Sequence, residues 1–91
     1  MNIDFDIDIY EYYIRLKNNI YKFDLELNLS NTHIFHSIHI YNNNINDYYY
    51  DISQNINIII NNHNFIYIDI YLINNNTNNI DIYHFILLKE D

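Results

Sequence analysis

Apolar and polar residues alternate with a period of two along most of this chain, and neither glycine nor proline interrupts them. Asn2 to Ile9 reads Asn-Ile-Asp-Phe-Asp-Ile-Asp-Ile, and similar alternation recurs through 10–16, 21–27, 48–60, 65–73 and 80–89. Successive side chains on a strand point to opposite faces, so this period describes half-buried strands rather than a helical stripe. The commonest residues, Ile, Asn and Tyr, are also mediocre helix formers. Glu11 to Asn19 and Ser30 to Asn46 do offer helical spacing, but the strand pattern is the stronger in both. The expected class is all-β.

Phase and turn residues suggest a pairing scheme. The apolar set moves from odd to even positions near Ile9-Tyr10, as a β-bulge would make it, giving one long bent first strand. A two-residue turn at Asn18-Asn19 would set Leu16 opposite Tyr21, Ile14 opposite Phe23 and Tyr12 opposite Leu25. A second at Ser30-Asn31 would set Leu27 opposite Ile34, Leu25 opposite His36 and Phe23 opposite Ile38. Both keep one face apolar, which a slip of one residue would destroy. Further on, a strand over 48–60 carries Gln54 as a break in its core face. A turn at Asn62-His63-Asn64 leads into Phe65 to Ile73, with Ile66, Ile68, Ile70 and Leu72 inward. A loop over 74–79 leads into Ile80 to Lys89, with Ile80, Ile82, His84, Ile86 and Leu88 inward. Asn fills the connections, replacing Gly where the backbone must turn left-handed. Open edges rich in Ile and Tyr invite amyloid-like pairing, so the sheet is expected to close. The expected architecture is a six-stranded antiparallel meander closed into a small barrel or sandwich, with 3–9 of the first strand pairing with the last.

At 91 residues the chain is one domain, 1–91, and zero Cys removes disulfides and thiolate chemistry. Phosphate loops built on Gly are excluded too. Twelve acids against four cations (Arg15, Lys17, Lys22, Lys89) give a net charge of −8. Nucleic acids and anionic membranes need clustered cations, so neither is expected as a partner. An acidic surface can instead meet a basic protein. No apolar run approaches the length of a membrane-spanning helix, and Met1 is followed by Asn2-Ile3-Asp4 without a basic leader, so the expected location is cytoplasmic, in the host cell if the protein is viral. Nearly every residue has a codon with A or T at its second position, as in A+T-rich genomes of some viruses, protists and low-GC bacteria with their phages. A binary-patterned library is the rival origin, against which the Gly-free turns argue.

His33, His36 and His39 resemble a metal tripod, but on a strand His36 faces away from the other two. His36 and His84 fall on the inferred core face, where a neutral His satisfied by Gln54 or a Tyr is the simplest account. No carboxylate converges on them, which argues against catalysis. No catalytic, cofactor or metal residues are assigned, and no cofactor is expected. Asp4, Asp6 and Asp8 form an acidic ladder on one strand face. Ile59, Phe65, Tyr67, Tyr71, Ile73, Tyr83, Phe85 and Leu87 fall on the expected outer face, and so large an aromatic patch marks a partner interface. In that register Tyr67 opposes Phe85 and Phe65 opposes Leu87. The expected function is a small acidic non-enzymatic protein-binding module, such as a viral or phage inhibitor that occludes a host nucleic-acid-handling or defence protein. A self-associating structural or assembly subunit is the alternative, so the partner is a host protein or a second copy, in a hetero-complex or a homo-oligomer. A small His-containing enzyme or ligand-binding barrel is the third reading.

Overall fold

The computed structural model describes residues 2–3, 8–17, 22–27, 29, 31–51, 56–59 and 65–89. Eight strands account for most of them: β1 (Asn2–Ile3), β2 (Glu11–Leu16), β3 (Lys22–Leu27), β4 (His33–Tyr41), β5 (Asn46–Tyr49), β6 (Ile56–Ile59), β7 (Phe65–Asn74) and β8 (Ile80–Lys89). The fold is all-β, as the period of two requires. Among the described residues no helix is long and apolar enough to cross a membrane.

Strand pairing departs from the meander. A five-stranded sheet runs in the order β2-β8-β7-β4-β5, and a three-stranded sheet in the order β1-β3-β6. β2 does not fold back on β3. It lies parallel to β8, with Glu11 opposite His84 and Leu16 opposite Lys89. β3 pairs antiparallel with β6, Phe23 opposite Ile58, and β4 pairs with β7 and β5. The larger sheet is mixed and ends at β2 and β5, so it is open rather than a closed antiparallel barrel. Most of the strands present an apolar face of similar Ile, Leu and Tyr content, so distant strands satisfy one another as well as sequence neighbours do. The expected turns at Asn18-Asn19 and Asn62-His63-Asn64, and Ser30 and Gln54, lie outside the described residues.

The first strand divides where its phase changes, but its halves exchange the expected partners. β1 is parallel to β3, Asn2 opposite Glu26, while β2 takes the last strand. The strand expected over 48–60 divides likewise into β5 and β6, which belong to different sheets. β7 and β8 begin where the sequence places them, β8 ends there too and β7 runs one residue further, to Asn74.

Register then decides which residues are core. On β4, Phe35 lies opposite Leu72 and Ser37 opposite Tyr71, so His36 is an extra residue, a β-bulge. Upstream of it His33 is buried and Phe35 packs on the core; downstream Ile38 and Ile40 are buried. Ile34 and His36, expected inward, are exposed instead.

Between β7 and β8 the turn shifts the register by one. The Asn74 N–H donates to the Asn79 carbonyl, and the Asn78 N–H to the Asn74 carbonyl, each at 2.8 Å. Asn78 takes the left-handed φ of 58°, which Asn tolerates better than most residues. The Asn74 side-chain oxygen also accepts the Asn76 N–H at 2.9 Å. These bonds carry Ile73 opposite Ile80, and therefore Tyr67 opposite Ile86 and Phe65 opposite Leu88. Because β7 keeps Ile66, Ile68, Ile70 and Leu72 inward, β8 must turn Tyr83, Phe85 and Leu87 inward beside them. The expected inward set of β8 (Ile80, Ile82, His84, Ile86, Leu88) is the outer one.

The core thus joins β7 and β8 to Ile38 and Ile40 of β4 and Leu16 of β2, with Leu29 and Ile45 packed against it. Fully burying one such aliphatic side chain is worth roughly 1.5–3 kcal/mol. Phe85 stacks on Tyr12 at 4.6 Å between ring centroids, and Tyr83 on Tyr10 at 5.0 Å. Burial followed by the neighbouring Tyr10 and Asp81 pushes the Tyr83 phenol up to about 12.

Candidate functional site

The face of the five-stranded sheet away from this core carries the chemistry. Alternation places Phe65, Tyr67, Asp69, Tyr71 and Ile73 of β7 on it, beside Ile80, Ile82, His84, Ile86 and Leu88 of β8. β4 adds His39 and Tyr41, β2 adds Glu11, Tyr13 and Arg15, and β5 adds Tyr48. Cross-strand register orders them into rows. One row reads Glu11, His84, Asp69, His39, Tyr48. The adjacent row reads Tyr13, Ile86, Tyr67, Tyr41, Asn46. A polar row therefore crosses the middle strands of an otherwise apolar and aromatic face.

Asp69 is the centre of that row. It is buried, yet both carboxylate oxygens are engaged: Oδ1 lies 2.6 Å from His84 Nδ1, and Oδ2 accepts the Tyr41 hydroxyl at 3.0 Å. A buried carboxylate is tolerable only when partnered this way. Burial, and then the bond to Asp69, push the Tyr41 phenol up to about 12. Burial followed by the Asp69 charge raises Tyr71 as well. The His84 side chain is 47% exposed, so its ring is held by Asp69 but open to solvent. Because a carboxylate can only accept, Nδ1 is the donor in this bond.

His39 sits across from Asp69 within an aromatic stack. Its ring lies 4.2 Å from Tyr41 and 4.1 Å from Tyr48, and Nε2 donates to Asn46 Oδ1. Tyr41 also meets Tyr67 at 5.3 Å, and Tyr67 meets Phe65 at 5.2 Å. The rings form one connected surface from β7 to β5.

The four described histidines on strands have distinct roles. His33 is the buried one: Nδ1 takes the Thr32 hydroxyl at 2.9 Å and Nε2 donates to Asp81 at 3.0 Å. Asn74 holds the same Asp81 oxygen at 3.2 Å, and the ring meets Tyr83 edge-on. Its bonds are those of a structural histidine. His36 and His84, expected in the core, are exposed, the former bonded to Ser37 at 2.8 Å. The bulge and the shifted β8 register reversed them. The missing carboxylate is therefore present: Asp69 converges on His84, which the expected register hid.

The expected interface divides. Phe65, Tyr67, Tyr71 and Ile73 share the outer face, half-buried. Tyr83, Phe85 and Leu87 do not; each is at most 2% exposed and belongs to the core. Ile59 lies on β6, and its side chain falls outside the described residues. Asp8 is exposed in a turn, while Asp4 and Asp6, the rest of the expected acidic ladder, lie outside the described residues. The sequence reading missed Tyr41, Tyr48 and Ile82 as outer-face residues, and with them the Asp69–His84 pair. The signal was present in Asp69, the one charged residue in the Phe65–Ile73 strand. Comparison with protein families, with curated proteins and with solved structures finds no match to this chain, so the site is interpreted from its own geometry.

Proposed function

We propose that this chain is a small acidic, non-enzymatic protein-binding module that docks a basic protein on the outer face of its five-stranded sheet. The observation that carries the reading is that this face exposes apolar and aromatic side chains on both sides of its polar row. Tyr48 is exposed there at the end of the ring series that runs from Phe65 through Tyr67, Tyr41 and His39, and Ile80 and Ile82 are exposed on the other side of the polar row. Exposed apolar and aromatic side chains are typical of interfaces, and aromatic anchors carry most of their energy. The net charge of −8 selects a cationic partner. The nucleic-acid groove of a host or defence protein combines that charge with exposed aromatic rings, which supports an inhibitor acting by occlusion inside a cell. An A+T-rich viral or phage genome would account for the composition.

The test is competition. Titrated against basic nucleic-acid-binding proteins, the chain should displace bound DNA or RNA, and Phe65→Ser with Tyr67→Ser should abolish displacement without loss of fold. Displacement unaffected by the double change would exclude this face.

A second reading rests on the 2.6 Å contact between His84 and Asp69. A carboxylate that orients an imidazole is the arrangement of a general base. Against it, the hydroxyl in contact with the pair is Tyr41, whose phenol is pushed up to about 12 and is no nucleophile near neutrality. Hydrolysis of an activated ester that disappears in both Asp69→Asn and His84→Gln would favour this reading.

A further inference from the structure

We infer that the open edge of β2 is a self-complementary seam that joins two copies of this chain across a twofold axis, making one continuous ten-stranded sheet. The inference is independent of the docking face proposed above. Among the described residues β2 pairs only with β8, so its other side offers backbone groups to a further strand. Parity says which ones. The His84 N–H donates to the Tyr10 carbonyl at 2.8 Å, and Glu11 is the residue opposite His84. Even-numbered residues of β2 therefore turn their N–H and C=O toward β8. The odd-numbered ones, Glu11, Tyr13 and Arg15, turn theirs outward to the open edge. All three side chains are exposed, Tyr13 at 68%.

An antiparallel second copy must place outward residues opposite outward residues, so that each pair exchanges both of its backbone hydrogen bonds. Centring the twofold on Tyr13 meets this condition. Glu11 then faces Arg15 of the second copy, Arg15 faces Glu11 of the second copy, and the two Tyr13 rings meet at the axis. On the core side of the sheet, Tyr12 faces Ile14 and Tyr10 faces Leu16. Opposite charges and aromatic or apolar pairs are the favourable cross-strand combinations, and every position has one. Centring instead on Glu11 or on Arg15 would set like charges directly opposite, which is unfavourable. Centring on Tyr12 leaves Glu11 and Arg15 without a charged partner, and centring on Ile14 finds one for Glu11 only in Lys17, beyond the end of β2. The seam also covers Tyr10 and Tyr13, whose exposure the single chain leaves unexplained. It is isologous, with each patch meeting itself, and so closes at two copies rather than growing into a fibre. A foreign basic strand would not be chosen by this pattern, because the edge already carries Arg15 and Lys17.

Molar mass in solution, followed by light scattering over a dilution series, tests the seam with charge swaps. The wild-type chain should reach the mass of two copies as concentration rises. Arg15→Glu and Glu11→Arg should each be monomeric, since either sets two like-charge pairs across the axis. The double variant Glu11→Arg with Arg15→Glu restores opposite charges and should recover the dimer. Tyr13→Pro removes the central outward N–H without touching a bond to β8, so it should keep its circular dichroism and lose the dimer. A wild-type chain that stays monomeric throughout would overturn the inference. So would a dimer that tolerates the single swaps, or a double swap that fails to restore it. Binding of a basic partner by Phe65 and Tyr67 can fail or succeed separately, because those residues lie on β7.

Discussion

Asp69 and His84 stand directly opposite each other on β7 and β8, with a carboxylate oxygen 2.6 Å from Nδ1. The second oxygen of Asp69 holds Tyr41. One buried carboxylate thus ties together three strands, β8, β7 and β4, on the face that the core does not reach.

Removing that carboxylate should cost more than removing either partner. Asp69→Ala leaves the Tyr41 hydroxyl and the His84 ring without their acceptor, and should destabilise by about 1–3 kcal/mol. Tyr41→Phe removes a single bond and should cost about 1 kcal/mol. Urea unfolding of the two variants gives the comparison. Equal costs would mean that Asp69 does not bridge the strands.

Alkaline stability should fall within a defined window. Tyr41 and Tyr83 ionise at about 12 when folded, against 10.0 for an ordinary phenol. Below pH 10 both states keep the proton and the contribution is complete. As pH rises from 10 toward about 12 the unfolded chain loses protons first, so stability declines until the folded phenols also ionise. Thermal melts across that window should show a shallower decline for Tyr41→Phe than for wild type, each compared with its own stability at neutral pH.

The shifted register of β8 has a direct test in neighbouring residues. Phe85 is 1% exposed, and Phe85→Ala should destabilise by roughly 3–5 kcal/mol as a core loss. Ile82 lies on the opposite face and is exposed, so Ile82→Ala should change stability by about 0.5 kcal/mol or less. A large effect at Ile82 with a small one at Phe85 would restore the register in which Tyr67 opposes Phe85.

The turn that sets this register depends on one left-handed residue. Asn78→Ala puts a Cβ where φ is 58° and should cost about 1–2 kcal/mol. Asn78→Gly should be close to neutral, because glycine takes that φ freely. Melting temperatures of the two variants should differ in that order.

The period of two in this sequence was enough to determine the strand class, the start of β7, the extent of β8 and the inward set Ile66, Ile68, Ile70 and Leu72. It also placed a backbone irregularity near Tyr10, expected as a bulge within one continuous strand; in the structure 8–10 belong to no strand and β2 begins at Glu11. What it could not determine was which strand lies beside which. Each strand offers nearly the same Ile and Tyr alternation, so β2 against β3 and β2 against β8 both keep an apolar face, and only the three-dimensional arrangement separates them. The same degeneracy hid the face of β8, whose two sides are both apolar: Tyr83, Phe85 and Leu87 on one, Ile80, Ile82 and Ile86 on the other. A turn hydrogen bond from Asn74 to Asn79 made that choice. With it the tertiary structure carried His84 out of the core and onto Asp69, a meeting between residues fifteen apart that alternation alone leaves undecided.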